Sequence, residues 1–187
     1  MEKTLITISR QFGSGGREIA ELLTKKLHCH HFNSKIVEMA AANLHDGVSI
    51  DEAIVRSYHT PEEAQGNLDK YEGFERMVEN NRMYVEQAKV ILNVAERPES
   101  AIFLGRCADY ILRDQNPFRI FVYADTESKI ARCMERKPAD ENLTEAQMKK
   151  QMAKIDRDRA KYYEFFSEQK WGARENYDLL VNTSGRD

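Results

Sequence analysis

A β-branched run, Thr4 to Ser9 (TLITIS), leads into Gly13-Ser14-Gly15-Gly16, followed by a helical repeat with Ile19, Leu22, Leu23 and Leu27 on one side. Few features restrict a chain more. A continuous apolar run of that length predicts a buried parallel strand, and a strand that turns through glycines into a helix opens an α/β nucleotide-binding domain. The glycines have a physical purpose. Backbone N–H groups of such a loop converge on a phosphate, helped by the positive end of the following helix, and side chains there would block the approach.

The rest of the chain repeats the alternation. Strands are expected at His31–Asn33, Ala101–Leu104, Phe118–Tyr123 and Asp178–Val181. Helices are expected from Ser34 to about Asn43, over Phe74–Ala95, around Ala108–Leu112, over Thr126–Arg136 and from Thr144, as N-cap, to about Phe166. A shorter one is expected over Ile50–Tyr58. In Phe74–Ala95 the apolar stripe is read as Val78, Val85, Ala88, Leu92 and Ala95. Strands alternating with helices imply a parallel sheet covered on both faces. At 187 residues the chain makes one domain. Its 41% hydrophobic and 32% charged residues, with a net charge of -3, exclude a disordered polymer. Three scattered cysteines form no CxxC pair, which argues against a zinc site or a disulfide framework. No stretch approaches a membrane span or a secretory leader, so a cytoplasmic protein is expected. His28, His30 and His31 lack the spacing of a metal face and read as a helix terminus.

A Walker loop carries a Lys for the β- and γ-phosphates and a Ser/Thr for Mg²⁺. Here the segment is Ser9-Arg10-Gln11-Phe12-Gly13-Ser14-Gly15-Gly16-Arg17-Glu18, with neither in place. The segment ITISRQFGSGGREIAELL resembles the signature of the cytidylate-kinase-like family, a branch of the P-loop kinases. So do the strand-GRCADYIL segment at 102–112, the Lys170-Trp171-Gly172 segment and the closing NYDLLVNTS. The resemblance implies an α/β P-loop NTPase-like fold: a five-stranded parallel sheet, helices on both faces and an arginine-rich helical lid. It implies a single domain over 1–187, with a core of 1–35 and 98–187, a helical acceptor-side insertion at about 36–97 and a lid at about 136–162. It also implies ATP with Mg²⁺ as cofactors, a small-molecule nucleotide partner such as CMP, and phosphoryl transfer between them. Donor phosphates would lie against Ser9, Arg10, Gly13, Ser14, Gly15, Gly16, Arg17 and Glu18, with Thr183 beside the adenine. Gly16 and Arg17 occupy the Lys and Ser/Thr positions, so either Arg10 or Arg17 supplies the missing charge or ATP binding is weak or absent. An arginine grips phosphate oxygens in a bidentate manner. No metal ligands are legible.

Arg106 follows a strand at its carboxyl end, where open α/β sheets place ligands, and with Asp109 it would hold the acceptor. Residues 129–161 contain ten Lys/Arg against six Asp/Glu. Arg132, Arg136, Arg157 and Arg159 stand in the expected lid, where, with Arg17, they would stabilise charge on the transferred group. Met148, Met152, Ile155, Arg159, Tyr162 and Phe166 share one helical stripe, which makes Arg159 the only charge on an apolar face. Its partner is then a bound phosphate or a carboxylate such as Glu135. Two rivals stand beside the kinase. One is a catalytically silent nucleotide- or phosphate-binding sensor, favoured by the missing loop Lys. The other, a nucleic-acid binder using the basic segment, is disfavoured because the basic residues are interleaved with acids and lack stacking aromatics.

Overall fold

Five parallel strands, β1 (Leu5–Arg10), β2 (His30–Phe32), β3 (Ala101–Leu104), β4 (Phe118–Tyr123) and β5 (Leu179–Asn182), make one sheet in the order β2-β3-β1-β4-β5. The structure is a computed structural model that describes residues 3–44, 70–137 and 143–186, with the side chains of 44 and 70–80 outside that description. The helix expected over 50–58 lies outside the described residues. Every strand expected from the sequence is present within a residue of its expected bounds.

β1 is central, and Leu5 through Ser9 are all buried. In register, Ile8 pairs with Leu104 on one side and Ile120 on the other. Alternation along the strands splits the core into two layers. Leu5, Ala101 and Phe103 meet Ile36 and Val37 of α2 (Ser34–Leu44) and Ile91 and Val94 of α3 (Lys70–Glu96). Ile6, Ile8, Ile102, Leu104, Ile120 and Val122 meet Ala20 of α1 (Gly16–Leu27) on the opposite face. Each fully buried aliphatic side chain contributes about 1.5–3 kcal/mol, and these layers hold the glycine loop at the carboxyl end of the sheet.

The buried face of α3 differs from the expected stripe. Met83, Gln87, Val90, Ile91 and Val94 are buried, whereas Val85 and Leu92 are 48% and 38% exposed. Two apolar rows of three-and-four spacing run along this helix, and periodicity ranks them equally. Docking against α2 and β3 selects the row that contains a glutamine. Among the described side chains, Ala95 alone belongs to both readings.

Helix starts follow local chemistry. α5 (Thr126–Arg136) begins at Asp125, whose carboxylate accepts from the Ser128 N–H at 2.7 Å. α6 (Glu145–Ser167) begins at Thr144 in a capping box with Gln147, as the sequence indicates. α6 returns to the core through Tyr163, whose hydroxyl donates to Asp109 Oδ2 at 2.8 Å. Asp109 lies on the short α4 (Ala108–Ile111) and is 4% exposed. Burial pushes its carboxyl above the usual range, opposed by the Tyr163 hydrogen bond.

The sign of the pH effect follows. Below the ordinary value of 3.8 the folded and unfolded chains both hold this proton. As pH rises from there towards the raised folded-state value, the unfolded chain releases it first, and stability falls. Asp109→Asn keeps an acceptor for Tyr163 and removes the ionisation. Its stability relative to wild type is therefore expected to increase with pH across that window, read from urea midpoints at a series of pH values.

Candidate functional site

Beyond β1 the chain turns through residues 11–15 and enters α1 with Gly15 as N-cap at φ 79°. Gly13 also has a positive φ, 75°. A Cβ at Gly13 would stand 2.7 Å from Cys133 Sγ and 3.0 Å from the Lys129 carbonyl, so α5 packs directly on the loop. Ser14 is fully buried, and its hydroxyl donates to the Gln11 carbonyl at 2.8 Å, closing the turn from inside. The first N–H groups of α1 have no helical acceptor and carry the positive end of its dipole. They face a cavity of about 420 Å³ lined by the loop, by Asn33 after β2, and by side chains of α5 and α6.

Arg10 explains why residue 16 has no side chain. A Cβ on Gly16 would lie 2.6 Å from Arg10 Cβ. The arginine stem thus runs across the space that a side chain at 16 would fill. Its guanidinium continues to Gly105, where an added Cβ would lie 2.4 Å from Nη1, and Nη2 donates to Asn33 Oδ1 at 3.3 Å. Arg17 goes the other way. It pairs with Glu21 along the outside of α1, and its side chain is 72% exposed.

The arginines contributed by α5 and α6 are held at the cavity by protein oxygens. Arg132 donates to the carbonyls of Gly13 at 2.9 Å, Thr183 at 2.5 Å and Arg186 at 2.7 Å. Thr183 in turn donates from its hydroxyl to the Ser14 carbonyl at 2.8 Å. Arg136 is ion-paired with Glu18. Arg159 donates to the Arg10 carbonyl at 3.1 Å and lies 3.5 Å from Asp156 Oδ1. Its carboxylate partner is therefore Asp156, one turn away on the same helix, and not Glu135, which is exposed. Arg159 Nε is buried without a hydrogen-bond partner among the described residues.

The sequence reading missed the residue that joins these parts. Asp156 accepts the Phe12 N–H at 2.7 Å and sits 3.8 Å from Lys129 Nζ, which itself donates to Gln11 Oε1 at 3.1 Å. Burial raises the Asp156 carboxyl above its usual range, against the pull of the Phe12 amide, Arg159 and Lys129. A signal was available: Lys129, Arg132, Cys133, Arg136 and Lys137 recur at three-and-four spacing along α5, and all but Lys129 line the cavity.

The residues expected on the acceptor side gather elsewhere. Gly105, Arg106 and Cys107 have φ of 70°, 60° and 54°, three successive left-handed residues after β3. For a non-glycine residue this conformation costs roughly 1–2 kcal/mol, and the surrounding fold must compensate. The turn holds Arg106, 5% exposed, against a hollow of about 20 Å³ bounded by Ser9, Arg10, Tyr162, Tyr163 and Trp171. Asp109 lines neither space. Arg157 is exposed and does not line the cavity, and Ser9 and Thr183 stand behind its wall.

A glycine loop without the usual lysine, at the carboxyl end of a sheet ordered β2-β3-β1-β4-β5, is thus in view together with its neighbours. The profile of the cytidylate kinase-like family matches residues 5–185. The chain belongs to the cytidylate kinase-like family. Membership in it suggests a phosphotransferase that uses a nucleotide and, as such kinases usually do, Mg²⁺. No functionally curated protein matches the sequence. Among solved structures, an uncharacterized protein from Eubacterium ventriosum is similar at 24% identity and TM-score 0.69, over 99% of this chain and 91% of that one. Shikimate kinase from Bacteroides thetaiotaomicron is similar at 11% identity and TM-score 0.54, over 96% and 86%. TT1252 from Thermus thermophilus is similar at 16% and 0.54, over 99% and 91%. At these identities the likeness concerns the fold, a P-loop kinase-like α/β sheet. No helix among the described residues is long and apolar enough to cross a membrane.

Gly16→Ala tests the packing of Arg10. In an ordinary first turn this change would stabilise the helix, by up to about 1 kcal/mol. Here it is expected to destabilise by roughly 1–3 kcal/mol through overpacking, and Arg10→Gly in the same chain should restore the loss. A double-mutant cycle of urea midpoints reads the coupling.

Proposed function

We propose that the chain is an ATP-dependent phosphotransferase that passes a phosphoryl group to a nucleoside monophosphate, CMP-like, or a similar small anion. One observation carries this reading. Unpaired helix-start amides and the guanidinium groups of Arg10, Arg136 and Arg159 converge on a single 420 Å³ cavity, within the usual range for a small-molecule site. Convergent amides with arginines are the chemistry of a polyphosphate cradle. Phosphoryl transfer asks the protein mainly for positioning and charge stabilisation, which such a wall supplies.

Within this reading Arg10 takes the part of the missing loop lysine. Its stem lies over Gly16, and its head reaches from the donor cavity to the turn that holds Arg106. It therefore stands between donor and acceptor. Arg159, whose Nε is buried without a hydrogen-bond partner among the described residues, contributes the second cation at that junction, and residues of about 136–162 act as the lid. Arg132 works as a positioning residue, because its donors hold the loop to the segment after β5. Arg106 holds the acceptor anion, and Asp109 supports the turn through Tyr163.

One observation favours a second reading, a nucleotide-binding protein without transfer. The space beside Arg106 is only about 20 Å³, walled by Tyr162, Tyr163 and Trp171. A transferring enzyme must open it.

Calorimetry and a coupled ADP assay separate the readings. Arg10→Ala should weaken ATP binding by about tenfold or more, since a hydrogen bond to a charged group contributes roughly 1.5–3 kcal/mol. Arg17→Ala, exposed and paired with Glu21, should change it by about twofold or less. The reverse ranking would overturn the role given to Arg10. ADP release that requires CMP or another monophosphate and is lost in Arg159→Ala supports transfer. Tight ATP binding with no ADP across a panel of acceptors supports the silent binder.

A further inference from the structure

The side chains around the cavity do not suit the magnesium ion that such kinases usually employ. Mg²⁺ takes a near-octahedral oxygen shell, and in phosphate sites it is usually anchored by one or two carboxylates besides the phosphates and water. Among the described residues, the cavity wall carries Arg10, Arg17, Arg132, Arg136, Lys137 and Arg159 against a single carboxylate, Glu18. Glu18 is already ion-paired with Arg136. Asp156, the nearby acid, does not line the cavity. It accepts the Phe12 N–H and is flanked by Lys129 and Arg159. The loop hydroxyl is no better placed, since Ser14 is fully buried and donates to the Gln11 carbonyl. Residue 17, where a Walker loop carries Ser or Thr, is an arginine whose side chain points to solvent. Among the described residues, no group of three His, Cys, Asp or Glu side chains could hold a metal ion.

We propose that this cavity takes its polyphosphate bare, with guanidinium groups and loop amides supplying the neutralisation that a divalent cation supplies elsewhere. The proposal rests on the reading of the cavity as a polyphosphate site and adds the charge state of the ligand it selects. A metal-free triphosphate carries more negative charge than its magnesium complex, and a wall whose described residues are six cations and one carboxylate favours the more highly charged form. An entering dication meets an excess of like charge and one acid that must first leave its arginine. The recognised group is the polyphosphate chain, so inorganic tripolyphosphate should share the preference of a nucleoside triphosphate.

Calorimetry on the full chain, with ATP and separately with tripolyphosphate, tests this in EDTA and in excess magnesium chloride. Both ligands should bind in EDTA, and magnesium should weaken each by roughly threefold to tenfold. Equal affinity in the two buffers overturns selection of the bare form, because the magnesium complex would then bind as well. Glu18→Gln should bind ATP in EDTA as tightly as wild type or more tightly, because Arg136 is released to the ligand. Strengthening by magnesium that disappears in Glu18→Gln places a metal on Glu18. That result, or any strengthening by magnesium, overturns bare binding and leaves the polyphosphate site standing. Absence of binding in both buffers, with the fold verified by a cooperative thermal transition, overturns the site and the bare-binding proposal together.

Discussion

The arrangement depends on a steric exchange at the start of α1. A residue with no side chain at position 16 lets the stem of Arg10 cross the mouth of the glycine loop, 2.6 Å from where a Cβ would be. From there the guanidinium reaches Gly105, another position where a Cβ would collide with it. A lysine at 16 would bring its charge up from the helix. In this chain a guanidinium from the end of β1 lies between two glycines, one on each side of the candidate site. Arg10 therefore depends on the sheet, because β1 and β3 must be neighbours in register for Gly105 to receive its head.

Around that exchange the chain concentrates like charge, and it does so by giving most cations an oxygen. Arg132 has three carbonyls, Arg136 has Glu18, and Arg159 and Lys129 share Asp156. A buried cation without a partner would be costly, and breaking a buried pair costs more than forming it returns. Asp156 is the common element. It binds the backbone of the glycine loop and two cations from different helices, so loop, α5 and α6 are positioned by one carboxylate. The three left-handed residues at 105–107 are the strained counterpart on the acceptor side, held by the packing of Cys107 with Tyr162 and Tyr163.

Much of the fold was legible in the residues. The strands at 101–104 and 118–123 are short apolar runs bounded by polar turns, and Thr144 with Gln147 is a local capping pattern; both are signals confined to a few neighbouring residues. The α3 face was not legible, because two rows of equal spacing compete and only contact with α2 and β3 decides between them. The candidate site was legible in part. Gly13, Gly15 and Gly16 and Arg132, Arg136 and Arg159, all singled out from the sequence, line one cavity, whereas Arg157 does not. Glu135 as the partner of Arg159 did not hold. Lys129 was passed over although it begins the three-and-four row of α5, and Asp156 was passed over because a lone acid in a charged helix carries no periodic signal.

By itself, then, the sequence determined the α/β alternation, the phosphate-type loop and its lack of lysine and hydroxyl, because each is a property of adjacent residues. Tertiary structure alone decided the direction of each arginine. Arg10 and Arg17 are near neighbours in sequence, yet one turns inward over Gly16 and the other outward to Glu21. That choice rests on contacts with Asn33, Gly105 and Arg159, residues as far as 149 positions away. A local pattern cannot encode which distant surface leaves room for a guanidinium; only the packed sheet creates that room.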